Sequence, residues 1–243
     1  MTRKRLDVLL VERGLFDSRA KARAAIEAGG VRVAGRVVGK ASEAVDPEAE
    51  IAAEPAYRWV GRGALKLDHA LGLWPVEVEG RVVLDVGAST GGFTEVALSR
   101  GARRVYAVDV GRGQLHASLS ADPRVVSLEG TDARALDRTL IPEAPELVVC
   151  DASFIGLAKV LAVPLELAAE GADLVALVKP QFEAGPEHVG KGGVVKDPTV
   201  HARVLDEVRA WLEARGWRVL AVADSPITGA DGNREHLLWA RLG

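Results

Sequence analysis

Seven strand-like runs, at residues 81–86, 104–109, 124–128, 146–150, 173–179, 217–223 and 235–241, dominate the greater part of the chain. Stretches with helical periodicity at 92–99, 132–138, 155–170 and 199–214 lie between most of them. Strand alternating with helix gives a parallel sheet covered on both faces. The final pair departs from that rule. Its connection, 224–234, is irregular and too short for a crossover helix, so 217–223 and 235–241 have to run antiparallel. The expected fold is therefore α/β, a Rossmann-like doubly wound sheet of seven strands whose last strand is antiparallel.

The first of these strands carries the most chemistry. Val82-Val83-Leu84-Asp85-Val86 runs into Gly87-Ala88-Ser89-Thr90-Gly91-Gly92-Phe93 and then into a helix. A strand, a glycine turn and a helix start let a ligand approach the backbone closely, because glycine has no Cβ in the way. A second apolar strand ends at Asp109, placed to take two ribose hydroxyls. The turn is not the G-x-G-x-x-G of dinucleotide sites, and no phosphate-binding G-x-x-x-x-G-K-[ST] follows a strand. Together with the antiparallel end, this outlines an S-adenosylmethionine-dependent methyltransferase fold. Asp85 is then expected on the ammonium side of S-adenosyl-L-methionine. Gly87, Ser89, Gly91, Gly92 and Phe93 are expected around the turn, Asp109 at the ribose and Asp132 at the adenine amino group, with an N-cap role equally open for Asp132.

The net charge of −3 hides an asymmetry. Residues 1–40 carry ten Lys or Arg against four Asp or Glu, whereas 41–56 carry five acids and no base. A compact basic head on an acidic chain points to a polyanionic partner. Leu6, Leu9 and Leu10 mark a helix over 4–14, and Asp17 or Ser18 caps a second that runs to about residue 28. Short strands at 31–33 and 36–38 flank a turn at Ala34-Gly35. Arg5-Leu6-Asp7, Ser18-Arg19-Ala20-Lys21-Ala22, Ile26, Gly29-Gly30-Val31-Arg32-Val33 and Gly35 resemble the S4 domain, a small α+β RNA-binding fold. The resemblance implies phosphate contacts from Arg5, Ser18, Arg19, Lys21, Arg23 and Arg36. Such contacts give position and affinity, not sequence choice. The expected domains are 1–56, a linker over 57–63 framed by Pro55, Gly61 and Gly63, and 64–243.

Four polar residues remain. Lys66 lies in an apolar helical stretch, Asp151 follows a strand, Lys179 ends one and Glu235 opens the last. A lysine ending a buried strand is costly unless it is paired or used. Lys66, Asp151, Lys179 and Glu235, in that order, resemble the Lys-Asp-Lys-Glu tetrad of FtsJ-like 2′-O-methyltransferases of RNA. The likeness extends to Gly61-Arg62-Gly63-Ala64-Leu65-Lys66-Leu67, Asp151-Ala152-Ser153-Phe154-Ile155, Lys179-Pro180-Gln181-Phe182-Glu183 and Gly232-Asn233-Arg234-Glu235. An S4 domain in front of that tetrad is similar to the layout of the TlyA, or hemolysin A, family. The resemblance implies methyl transfer to the ribose 2′-OH of a cytidine in ribosomal RNA, with ribosomal RNA or ribosomal subunits as partner. The chain is similar to the shorter type, which favours 23S RNA, with 16S RNA the other target. A lysine serves as base only where burial and a neighbouring cation favour its neutral form. That role is expected of Lys179, with Lys66 depressing it or steering the hydroxyl and the carboxylates holding both. Arg62 is assigned to RNA. So is Phe182, in a glycine-rich flexible stretch, where it would stack on an unstacked base.

Other classes fit less well. The five histidines show no ligand spacing, and the one cysteine, Cys150, lies in an apolar strand and reads as core, so no metal is expected. No run approaches the ~20 apolar residues of a membrane span, and no signal peptide is visible, which points to the cytoplasm and away from a membrane-active hemolysin. An NAD-dependent oxidoreductase is disfavoured by the turn. A pseudouridine synthase is disfavoured because its Arg-Leu-Asp falls here inside the S4 segment. A non-enzymatic RNA-binding or assembly factor would keep the basic head but would not need paired lysines.

Overall fold

In the computed structural model, which describes residues 3–229 and 232–243, the chain divides into two units, Met1–Trp59 and Val60–Gly243. The first unit contains β1 (Lys4–Arg5), α1 (Leu6–Glu12), α2 (Arg19–Glu27), β2 (Val31–Val33), β3 (Arg36–Val37), β4 (Ala44–Val45) and β5 (Ile51–Ala53). Leu6, Leu9 and Leu10 of α1 pack with Ala22, Ala25 and Ile26 of α2 in a small core. The expected helix from residue 4 starts two residues later. Lys4 and Arg5 instead pair antiparallel with Val45 and Ala44. That partner lies in an acidic stretch without strand periodicity, which is why the sequence does not announce it.

The second unit begins with α3 (Ala64–Leu73), then β6 (Val82–Val86), α4 (Gly92–Ser99), β7 (Arg104–Asp109), α5 (Ala117–Ser120), β8 (Val125–Glu129) and β9 (Leu147–Cys150). It continues through α6 (Leu157–Val160), α7 (Ala162–Glu166), β10 (Asp173–Val178), α8 (Pro180–Glu183), α9 (Pro198–Glu213), β11 (Trp217–Asp224) and β12 (His236–Leu242). The sheet order is β11-β12-β10-β9-β6-β7-β8. β12 lies antiparallel between β10 and β11, and every other pairing in the sheet is parallel. The seven-stranded sheet with one antiparallel strand is as expected. β6, β9 and β10 are buried along their whole length, as continuous apolar runs covered on both faces should be.

Two expected helices are not formed as read. The stretch 132–138 holds only a short 3₁₀ turn, Ala133–Ala135. The Asp137 carboxylate then takes the backbone N–H groups of Thr139 and Leu140, an alternative to helical bonding. The stretch 155–170 breaks into α6 and α7. Pro164 has no N–H for the Val160 carbonyl, so helix α6 ends there.

Candidate active site

β6 ends in a turn built from conformations that only certain residues tolerate. Gly87 has φ +84°, Ser89 +47° and Gly91 +95°. A Cβ on Gly87 would stand 2.8 Å from the Ala152 Cα, and one on Gly92 would stand 2.9 Å from the Ala64 nitrogen. The turn is thus pressed between the segment after β9 and the start of α3, the helix that carries Lys66. Neither approach leaves room for a side chain.

The sheet brings the four predicted polar residues together. Asp151 follows β9, and Lys179 follows its neighbour β10. β12 runs the other way, so its first residue, His236, pairs with Val178, and Glu235 arrives beside Lys179. Lys66 Nζ donates to Glu235 Oε2 at 2.6 Å and lies 3.2 and 3.3 Å from the two Asp151 oxygens. Lys179 Nζ lies 2.7 Å from Asp151 Oδ1 and donates to the Asp151 carbonyl at 3.1 Å and to Ser153 Oγ at 2.9 Å. Asp151 Oδ1 therefore serves both lysines, and all three ammonium protons of Lys179 have an acceptor. Both lysines and Glu235 are buried. Two ammonium groups facing two carboxylates leave no net charge, which makes that burial tolerable.

Two clefts meet at this cluster. One, of about 470 Å³, is bounded by Gly87, Ser89, Asp109, Asp132, Phe154 and Val110 among others. The other, of about 240 Å³, is bounded by Gly61, Arg62, Thr90, Gly92 and Phe93. Gly87, Ser89, Asp151 and Ser153 belong to both walls. A nucleoside with an amino-acid tail fits this shape. The larger cleft offers an apolar face in Val110, which is 72% exposed, and a carboxylate in Asp109, while the glycine turn leads to the tetrad. Asp109 accepts from the backbone N–H groups of Ser89 (2.8 Å) and Gly111 (2.7 Å), so its position is fixed from both sides.

Other predicted residues stand differently. Asp85 lines neither cleft. It is fully buried, accepts from the Thr94 hydroxyl at 2.7 Å and, among the described residues, has no partner at Oδ1. Burial pushes its carboxyl up to about 7, with Thr94 opposing that shift. The expected place beside a cofactor ammonium gives way to one behind the turn, because the alternation along β6 points the side chain toward α4. Asp132 lies at the wall of the larger cleft but caps the turn 133–135 and pairs with Arg134 at 2.6 Å, which holds its carboxyl at about 2. Arg62 is exposed and donates to the Thr228 carbonyl at 2.8 Å. Phe182 is not in a loop. Pro180 opens the short helix α8, and the half-buried Phe182 ring lies 5.2 Å from that of Phe154. Phe154 itself is 89% exposed at φ +66°. Sequence reasoning assigned no role to Phe154, Ser153 or Thr94, although Ser153 and Phe154 stand in the stretch after Asp151 that carries the family likeness. Burial pushes the Cys150 thiol up to about 12, so it is a core residue and no nucleophile.

In the N-terminal unit, Arg5 and Arg19 close on the buried Asp7 at 3.0 and 2.8 Å, mainly through the Arg5 hydrogen bond, and hold its carboxyl at about 2. Ser18 caps α2 by accepting from the Lys21 N–H. Lys21 pairs with Asp17 at 2.8 Å, and Arg36 pairs with Glu43. Arg23 is exposed on α2. Among the described residues, no group of three or more His, Cys, Asp or Glu is gathered as for a metal ion, and no helix is long and apolar enough to cross a membrane.

Comparison with known proteins agrees with this arrangement. A model of the S4 domain matches residues 4–51, and a model of the FtsJ-like methyltransferase matches residues 59–242. The 16S/23S rRNA (cytidine-2′-O)-methyltransferase TlyA of Mycobacterium tuberculosis is 48% identical over 98% of this chain and 90% of its own length. Hemolysin A of Brachyspira hyodysenteriae is 37% identical over 96% of this chain and 98% of its own. A solved structure from Streptococcus thermophilus, provisionally titled a hemolysin, superposes with a TM-score of 0.79 at 39% identity, covering 100% of this chain and 89% of that one. The chain belongs to the TlyA family of FtsJ-like methyltransferases with an S4 domain in front.

Proposed function

We propose that this protein transfers a methyl group from S-adenosyl-L-methionine to the ribose 2′-OH of a cytidine in ribosomal RNA, 23S RNA in preference to 16S. The observation that carries the reading is Asp151 Oδ1 shared by Lys66 and Lys179 at the junction of two clefts. Residues 1–56 act as the RNA-binding domain, 57–63 as linker and 64–243 as the catalytic domain. Arg5, Ser18, Arg19, Lys21, Arg23 and Arg36 meet phosphates, and Arg62 does so at the mouth of the smaller cleft.

Gly87, Ser89, Gly91, Gly92 and Phe93 form the bed for the cofactor's tail, with Asp109 at its ribose and Asp132 at its base. Asp85 supports the turn from behind. Bound there, S-adenosylmethionine supplies an electrophilic methyl on a sulfonium. A ribose hydroxyl is a poor nucleophile near neutral pH and must give up its proton as it attacks. Lys179 accepts that proton at Nζ once the ammonium proton it directs at Ser153 Oγ has passed to solvent. Ser153 Oγ is the partner it can release to reach the hydroxyl, since the Asp151 bonds fix the rest of the head group. Lys66 and Glu235 hold Asp151 in line, a positioning effect. The exposed Phe154, backed by Phe182, offers a stacking face for an unstacked base.

Transfer of a tritiated methyl from S-adenosylmethionine to isolated ribosomal subunits tests this, with the nucleotide mapped afterwards. A 2′-O-methylcytidine is expected. Label on a base, or no label from protein that binds the cofactor, refutes it. Dye release from lipid vesicles by the purified protein would favour the hemolysin reading instead.

A further inference from the structure

Glu129, the last residue of β8, has a task that nothing in the tetrad or the glycine turn accounts for. Its carboxylate faces the loop 110–116, which follows β7. Oε1 accepts from the backbone N–H groups of Gln114 at 2.6 Å and Leu115 at 3.0 Å, and Oε2 accepts from Gly113 at 3.0 Å. Three successive N–H groups converging on one anion form a nest of the kind that binds phosphates, here filled by the protein's own side chain. Gly113, at φ +66°, permits the turn. The bonds from Leu115 and Gln114 hold Glu129 below the ordinary glutamate range. The loop is pinned again by Gly130 N to the Gly111 carbonyl at 2.7 Å and by His116 N to the Thr90 carbonyl at 3.2 Å.

This fastening has a directed result. Gln114 is exposed, lines the larger cleft, and lies folded over Gly111, where a Cβ would collide with its amide beside Asp109. Among the described residues its side-chain amide makes no hydrogen bond. Leu115 and Leu119 fill the space that a side chain on Gly91 would need. A free amide held in a cleft next to a ribose-binding carboxylate has both a donor and an acceptor to offer. We infer that Gln114 is a second polar contact to the nucleoside of the cofactor, adjoining Asp109, and that Glu129 is the positioning residue that sets it there. The inference rests on the reading that this cleft takes S-adenosylmethionine.

The test is calorimetric binding of S-adenosylhomocysteine to the full-length protein and to Gln114→Ala, Glu129→Gln, Glu129→Ala and the double alanine variant. Loss of one neutral hydrogen bond predicts about a 5- to 10-fold weaker Kd for Gln114→Ala. Glu129→Ala should weaken binding at least as much. Glu129→Gln keeps the oxygen that holds Gln114 and Leu115 and should recover most of the affinity. The double variant should bind no worse than Glu129→Ala, because one acts through the other. In methyl transfer, Glu129→Ala should raise the cofactor KM and leave kcat at saturating cofactor within about twofold. Single variants that bind within twofold of the parent overturn the inference, and so do losses that simply multiply in the double variant. A parent protein that binds no S-adenosylhomocysteine at all refutes the reading of the cleft rather than the role of Glu129.

Discussion

Asp85→Asn should change how stability depends on pH, in a direction opposite to most paired carboxylates. Asp85 is fully buried with one oxygen on Thr94 and the other unpartnered among the described residues, and its carboxyl is pushed up to about 7. The native state therefore holds the proton more tightly than the unfolded chain, whose carboxyl titrates near 4. Raising the pH through that interval removes stability. A shift of about three pKa units, at about 1.4 kcal/mol each, sets a ceiling of about 4 kcal/mol, of which about 2.5 kcal/mol falls between pH 5 and pH 8. Asparagine keeps an oxygen for the Thr94 hydroxyl and never ionises. Urea unfolding of the parent and of Asp85→Asn at several pH values isolates the effect, because every other titrating group is common to both. The variant should gain on the parent steadily from pH 5 to pH 8. Two curves that stay parallel within about 0.5 kcal/mol over that range would show that Asp85 is ionised or solvated in the native state.

Three further outcomes are expected. Lys179→Ala should abolish methyl transfer while the Kd for S-adenosylhomocysteine stays within about threefold, and equal loss of both in calorimetry and tritium transfer would end the division of roles. Phe154→Ala should lower kcat/KM for ribosomal subunits by about 10- to 100-fold, the worth of one stacked base; an unchanged value in the same assay would leave the ring without that role. Arg23→Ala should weaken subunit binding and reduce the slope of log Kobs against log salt by about 1, since Arg23 is exposed on the basic helix. A salt titration with an unaltered slope would remove Arg23 from the phosphate contacts.

The strands were legible because each core strand is a near-unbroken apolar run between polar punctuation, a pattern that burial on both faces requires. The antiparallel end followed from loop length alone. The tetrad could be picked out because Asp151, Lys179 and Glu235 stand at strand ends that the fold places side by side, and because Lys66 interrupts an apolar helical stretch. Legibility failed where the deciding partner is remote or the deciding group is a backbone one. Ala44–Val45 is a strand only because Lys4–Arg5 pairs with it. Pro164 and Asp137 cut two helices whose apolar spacing looked continuous. Asp85 reads as a ligand from its place before the turn, and only the packing of α4 shows it facing Thr94. The exposure of Phe154 and the three N–H groups on Glu129 depend on loop conformation, which leaves little trace in residue pattern.

The insertion of β12 between β10 and β11 bears on when this protein can begin to work. Glu235 precedes that strand, and Lys66 rests on it at 2.6 Å. During synthesis, every other strand of the sheet leaves the ribosome before the one that slots into its interior. A nascent polypeptide stopped short of residue 235 can already display its basic N-terminal surface, yet it lacks one of the two carboxylates that neutralise the paired lysines. The proposed methyl transfer therefore waits until this inserted strand has docked and brought Glu235 to Lys66.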